Sequence, residues 1–69
     1  MTSINIFLNG EPREVPNEID LDALLDLLSL HKQRVAIEVN DSVVRRSNWP
    51  TKMLCDDDKV EIVHFVGGG

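Results

Sequence analysis

Lys59-Val60-Glu61-Ile62-Val63-His64-Phe65-Val66, followed by Gly67-Gly68-Gly69, is the stretch that decides the fold. Its first eight residues form a nearly continuous apolar run. Such a run reads as a strand covered at least partly on both faces, and so as the centre of a sheet. A central strand needs neighbours, and the earlier chain supplies them. Residues 3–8 alternate, with Ile4, Ile6 and Leu8 on one face and Asn5 and Phe7 on the other. Asn9-Gly10 is a strong hairpin signal, because both positions accept positive φ. Residues 11–15 then return as a strand, and Pro12, which has no N–H to donate, sets that strand at a sheet edge. Val35, Ile37 and Val39 alternate as a third strand. Asn40-Asp41 turns the chain into a short return over 42–44.

Between these strands lies one helix. Asp20 is placed to cap its first turn, and Ile19 and Leu24 have the spacing of a hydrophobic staple. Leu21, Leu24, Leu25 and Leu28 fall at i, i+3, i+4 and i+7, a single core-facing stripe that Leu27 and Leu30 widen. Asp22 and Asp26 lie toward its start, with His31 and Lys32 after its end, the polarity that suits the helix dipole. One stripe can cover one sheet face. The expected fold is therefore an α+β roll, the β-grasp. Its mixed sheet of four to five strands has the first and last strands adjacent at the centre, under one main helix. The domain is expected to span residues 1–66, with 67–69 as a flexible glycine tail. The uncovered sheet face is expected to carry Val63 and Phe65, which, with the adjoining Val66, make a surface for partner docking. Ser47 is a candidate cap for an irregular helical turn that brings Trp49 over one end of the core. Asp56-Asp57-Asp58 is expected to turn the chain rather than hold a metal, since calcium needs six or more oxygens from a longer loop.

Composition limits what such a domain can do. Sixty-nine residues make one domain, and a chain of this size buries only about 60% of its unfolded surface. Three aromatics, Phe7, Trp49 and Phe65, require an aliphatic core. The net charge is −5 and Arg45-Arg46 is the one adjacent basic pair. That distribution opposes nucleic-acid binding, which needs a concentrated basic face, and suits steering toward a basic protein partner. The apolar runs are too short to span a membrane, and Met1-Thr2-Ser3-Ile4 lacks the start of a signal peptide. With Cys55 as the single cysteine, a cytoplasmic location is expected.

Side-chain chemistry is sparse. Cys55 precedes three aspartates, whose charge disfavours a reactive thiolate. No spacing motif joins His31 to His64 as metal ligands. The glycines lie at Gly10 and at the end of the sequence rather than between a strand and a helix, so no phosphate loop is present. An enzyme is not expected. What remains is the terminal glycine run, open to two readings: a frayed end without a role, or a thin carboxylate arm for a narrow slot in another protein. Fully extended, residues 66–69 reach roughly 13 Å, enough to enter such a slot.

Taken together, Val35-Ala36-Ile37-Glu38-Val39-Asn40, Val43-Val44, Arg46-Ser47-Asn48-Trp49, Val60-Glu61-Ile62-Val63 and Val66-Gly67-Gly68-Gly69 resemble the ThiS family of sulfur carriers from thiamin biosynthesis. That resemblance implies the ubiquitin-like β-grasp. The resemblance covers nearly the whole chain. There are two departures: Asp57 stands where a glycine is usual, which asks it to take a left-handed turn conformation, and Arg45 often corresponds to proline. The resemblance implies that Gly69 is adenylated and converted to a thiocarboxylate, with Gly67 and Gly68 for clearance in a tight channel. It implies a ThiF-like adenylyltransferase that uses ATP, and a sulfur donor such as a cysteine desulfurase or rhodanese-type protein. It also implies a ThiG-like thiazole synthase that receives the sulfur. The carrier itself would bind no cofactor and no metal. Two alternatives stay open: a carrier like the small subunit of molybdopterin synthase, and a ubiquitin-like modifier or interaction module that is never thiolated.

Overall fold

A computed structural model describes residues 2–65. The expectations for Val66 and for Gly67, Gly68 and Gly69 lie outside the described residues. Five strands, β1 (Ser3–Leu8), β2 (Glu11–Pro16), β3 (Val35–Val39), β4 (Ser42–Val44) and β5 (Lys59–His64), form one sheet in the order β2-β1-β5-β3-β4. β5 runs parallel to β1 and antiparallel to β3. The C-terminal strand is therefore central, next to the N-terminal one, as its apolar run predicts. Pro12 sits on the outer strand β2, where its missing N–H costs no ladder bond.

Both hairpins turn through two residues of positive φ: Asn9 (50°) with Gly10 (85°), and Asn40 (52°) with Asp41 (71°). This is the geometry whose twist matches that of the flanking strands. Each turn fixes its register, and register decides which side chains meet the core. Ile4, Ile6, Val15, Val35, Ile37, Val39, Val60 and Ile62 all point to one face and are buried.

The single helix, α1 (Leu21–Leu27), closes that face. The Asp20 side chain accepts a hydrogen bond from the Ala23 amide at 2.8 Å, as the sequence predicts. Ile19 and Leu24 join Leu21, Leu25, Trp49 and Leu54 in the same core. After Leu28 the helix stops at Ser29, whose φ of 58° is left-handed. The Ser29 and Leu30 amides bond back to Asp26 and Leu25, the paired closure that usually employs glycine. This break corrects two expectations. Leu27 does not widen the buried stripe but is 47% exposed, whereas Leu30 reaches the core from beyond the helix. Nor does Lys32 serve the dipole. Its Nζ reaches the carboxylates of Asp22 at 3.7 Å and Asp26 at 3.5 Å.

Because an L-residue in the left-handed region is strained, Ser29→Gly should stabilise the domain. The gain is about 0.5–1 kcal/mol after the entropic cost of glycine. A denaturant midpoint unchanged or lowered in the variant would refute that.

Trp49 lies in a 3-10 turn, Arg46–Thr51, and covers one end of the core, as expected. Its indole Nε1–H donates to the Val44 carbonyl at 3.0 Å, and the Arg46 guanidinium lies 5.3 Å from the ring centre. Ser47 is not the cap. The turn begins one residue earlier, with Arg45 in the capping position and no side-chain bond, because the Asn48 amide already reaches the Arg45 carbonyl. Arg45 has φ −66° and ψ 144°, a conformation proline would also adopt, so that departure from the family pattern changes nothing in the backbone.

Candidate functional site

β5 is covered on one face only, which corrects the expectation of two covered faces. Val60 and Ile62 are buried, while Lys59, Glu61, Val63 and His64 are exposed. A single helix cannot cover both sides of a five-stranded sheet. The uncovered side follows from register. Phe7 pairs with Pro12 and Lys59, Glu61 pairs with Glu38, Val63 with Ala36, and Val43 with Glu38. The Phe65 amide donates to the Arg34 carbonyl at 2.9 Å, which extends the β5–β3 ladder one residue and keeps Phe65 on the side of Val63. Four of the six large exposed hydrophobics among the described residues are gathered here: Phe7 (40%), Val43 (71%), Val63 (56%) and Phe65 (52%). Exposed aromatic and aliphatic side chains that share one sheet face make this face a candidate interaction surface.

Val63 and Phe65 thus lie where the sequence places them. Val43 was not anticipated. Its signal was the Asn40-Asp41 turn, which fixes the register Glu38–Val43 once the turn is known to have two residues.

The edges of β5 are tied by side chains that alternation cannot reveal. The Asn9 Oδ1 accepts from the Ile62 amide at 2.8 Å, and its Nδ2 donates to the Ile62 carbonyl at 3.3 Å. A carboxamide here takes the place of a peptide group and continues the β1–β5 ladder past the end of β1. Asn40 does the same at the start of the strand. Its Oδ1 accepts from the Lys59 amide at 2.9 Å, and its Nδ2 donates to Asp58 Oδ1 at 3.0 Å. The first residue of each hairpin turn therefore also clamps the central strand.

The three aspartates serve the backbone as well. Asp56 Oδ1 accepts from the Asn5 amide and Asp58 Oδ2 from the Cys55 amide, both at 2.8 Å. Asp57 takes the left-handed conformation that its place in the family pattern requires, with φ 70°. These bonds engage Asp56 and Asp58 without a metal. Among the described residues, no three His, Cys, Asp or Glu side chains converge as a metal site, and no helix is long and apolar enough to cross a membrane.

The geometry thus defines a β-grasp domain with an open sheet face beside a central strand whose sequence runs on to a glycine triplet. Comparison with known proteins narrows this class. The ThiS family model matches residues 6–69. The sulfur carrier protein ThiS of Bacillus subtilis is 38% identical over 65 residues, covering 90% of this chain and 96% of that protein. A thiazole synthase of Magnetococcus marinus is 41% identical over 66 residues, 96% of this chain, which spans only 20% of that longer protein. The crystal structure of the thiamine biosynthesis protein ThiS from Geobacter metallireducens superposes with a TM-score of 0.83. It shares 30% identity and matches 96% of this chain and 100% of its own. The chain belongs to the ThiS family.

Proposed function

We propose that this protein is a sulfur carrier of thiamin biosynthesis and that its reactive atom is the Gly69 carboxylate carbon. The observation that carries the reading is the match to the Bacillus subtilis sulfur carrier over 90% of this chain and 96% of that protein. A carboxylate repels nucleophiles. Attack of its oxygen on the α-phosphorus of ATP, on an activating partner, releases pyrophosphate and leaves an acyl-adenylate with a neutral carbonyl. The outer sulfur of a donor persulfide adds there and AMP departs with one carboxylate oxygen, which leaves the chain joined to the donor as an acyl disulfide. A second thiol then attacks the donor's sulfur, takes it into a new disulfide as the S–S bond breaks, and frees the chain as a thiocarboxylate. Gly67 and Gly68 give the clearance that a narrow channel demands, since they lack a Cβ. The adenylating partner is ThiF-like, and the donor is a cysteine desulfurase or rhodanese-type protein. A ThiG-like thiazole synthase takes the sulfur. The Magnetococcus marinus relative supports that acceptor, because a segment similar to this chain makes up a fifth of a protein named thiazole synthase. Incubation with ATP and the source organism's activating enzyme should give adenylated Gly69 by mass. No adduct on any activating enzyme of that organism would refute the reading.

The same proposal assigns Val63, Phe65 and Val66 to docking. Phe65 is half exposed, so Phe65→Ala should cost the fold under about 1 kcal/mol and weaken binding to the activating enzyme about tenfold or more, as a central aromatic anchor does. Equal losses in thermal stability and in affinity would return Phe65 to a structural role.

A further inference from the structure

At the centre of the open face, Glu38 of β3 and Glu61 of β5 stand directly opposite one another in the ladder. Side chains so paired share a face with Cβ atoms about 5 Å apart, and like charges there destabilise a sheet. Neither carboxylate has an ion pair or hydrogen-bond partner among the described residues. Lys59, two residues along β5 from Glu61 on the same face, directs its Nζ to Asp41 at 3.7 Å. Arg34, which the ladder sets opposite Phe65, makes no ion pair with either carboxylate among the described residues. The other carboxylate on the face, Glu14, accepts from the Ser3 hydroxyl at 2.6 Å. Around the pair stand Val43, Val63 and Ala36. The free domain thus holds two uncompensated negative charges inside its apolar patch.

We propose that Glu38 and Glu61 together form the seat for an arginine side chain of the enzyme that adenylates the C-terminus. This rests on the carrier reading and names the chemistry of its docking surface. An arginine fits better than a lysine, because its planar fork can bond to two carboxylates at once while its face stacks on a neighbouring aromatic ring. The apolar rim excludes water from the bonds as the surfaces close, which strengthens them. The position follows from continuity: the face includes the last part of β5, from which the sequence runs to Gly69, so the enzyme that receives the tail must abut it. The repulsion that the free carrier tolerates becomes attraction on binding, and is restored when the partner leaves.

Glu38→Gln, Glu61→Gln, the double variant and Glu11→Gln test this, with the last removing one charge from the other side of the sheet. Affinity for the activating enzyme, adenylation rate and melting midpoint are read at low and high salt. Each of the two open-face variants should weaken binding about tenfold while its midpoint stays level or rises, as charge pairs at interfaces behave. The double variant should lose less than the product of the singles, because one cation reads both groups. Glu11→Gln should bind as the wild type does. Unchanged affinity in both open-face variants overturns the proposal, as does an equal loss in Glu11→Gln, which would trace the effect to net charge. A lowered midpoint in both would also overturn it, by showing that the pair is stabilised within the chain. A wild type that is adenylated beside unaffected variants removes this proposal alone. A wild type that is never adenylated removes the carrier reading with it.

Discussion

Removal of Gly69 should leave the unfolding midpoint where it is and abolish thiocarboxylate formation. The two halves of this expectation have separate causes. Every buried hydrophobic residue of the described core lies between Ile4 and Ile62, so the deletion takes nothing from it. The new terminus, Gly68, still offers a carboxylate of the same intrinsic reactivity. It stands one residue short, however, roughly 3.5 Å of extended chain. Displacement of a reacting group by about 1 Å can already cost a hundredfold in rate. Replacement of Gly68 by a bulky residue should fail for the other reason, keeping reach but losing clearance. The product is read as an oxygen exchanged for sulfur. Since oxidation of Met1, Met53 or Cys55 adds nearly the same mass, alkylation of the thiocarboxylate in a Cys55→Ser background should confirm it. Normal sulfur acquisition by the shortened chain would refute the proposed mechanism.

The largest effect on stability is expected at Leu25. Its side chain is fully buried, and its carbonyl accepts the Leu30 amide that closes the helix. Leu25→Ala should cost about 2–5 kcal/mol, the lost transfer energy plus a cavity that a seven-residue helix cannot collapse to fill. Domains of this size have about 3–10 kcal/mol in total, so much of the variant should be unfolded at physiological temperature. Chemical denaturation followed by circular dichroism measures the loss. A cost below about half a kcal/mol would be incompatible with the core described.

What could be read in advance follows a physical division. Period-two and helical spacing report burial, so the strands containing Ile4, Ile37 and Ile62, the leucine stripe and the central position of β5 were legible. So were the turns at Asn9-Gly10 and Asn40-Asp41, because few residue types tolerate such backbone angles. Only the family pattern, by contrast, raises a left-handed Asp57, and the residues themselves leave its conformation open. The length of α1 was not, since Ser29 is a poor signal for a left-handed stop and Leu27 prolongs the apolar pattern past it. The carboxamide clamps of Asn9 and Asn40 were also hidden: each bonds a strand far away in sequence, and polar contacts of that kind have no periodicity. At the candidate site, Val63 and Phe65 could be read from alternation. The facing of Glu38 and Glu61 depends on a register that alternation leaves free by steps of two.

The clamp at Asn9 also stands at a position open to slow chemical change. An asparagine followed by glycine is the pair most open to attack on its own side-chain carbonyl by the next backbone nitrogen, because glycine has no Cβ to obstruct the approach. Ammonia is lost, a cyclic imide forms, and water opens it to aspartate or to isoaspartate. While β1 and β5 stay zipped, the bonds to Ile62 hold the Asn9 carboxamide away from that reaction. Each opening of the sheet releases it. As aspartate the group can still accept from the Ile62 amide, but it sets an oxygen against the Ile62 carbonyl where a donor stood. As isoaspartate the side chain becomes part of the main chain and the clamp is lost. Deamidation at Asn9 should therefore loosen the hold on Ile62, and its rate, read by mass over weeks of storage, should rise in any variant whose central strand opens more often.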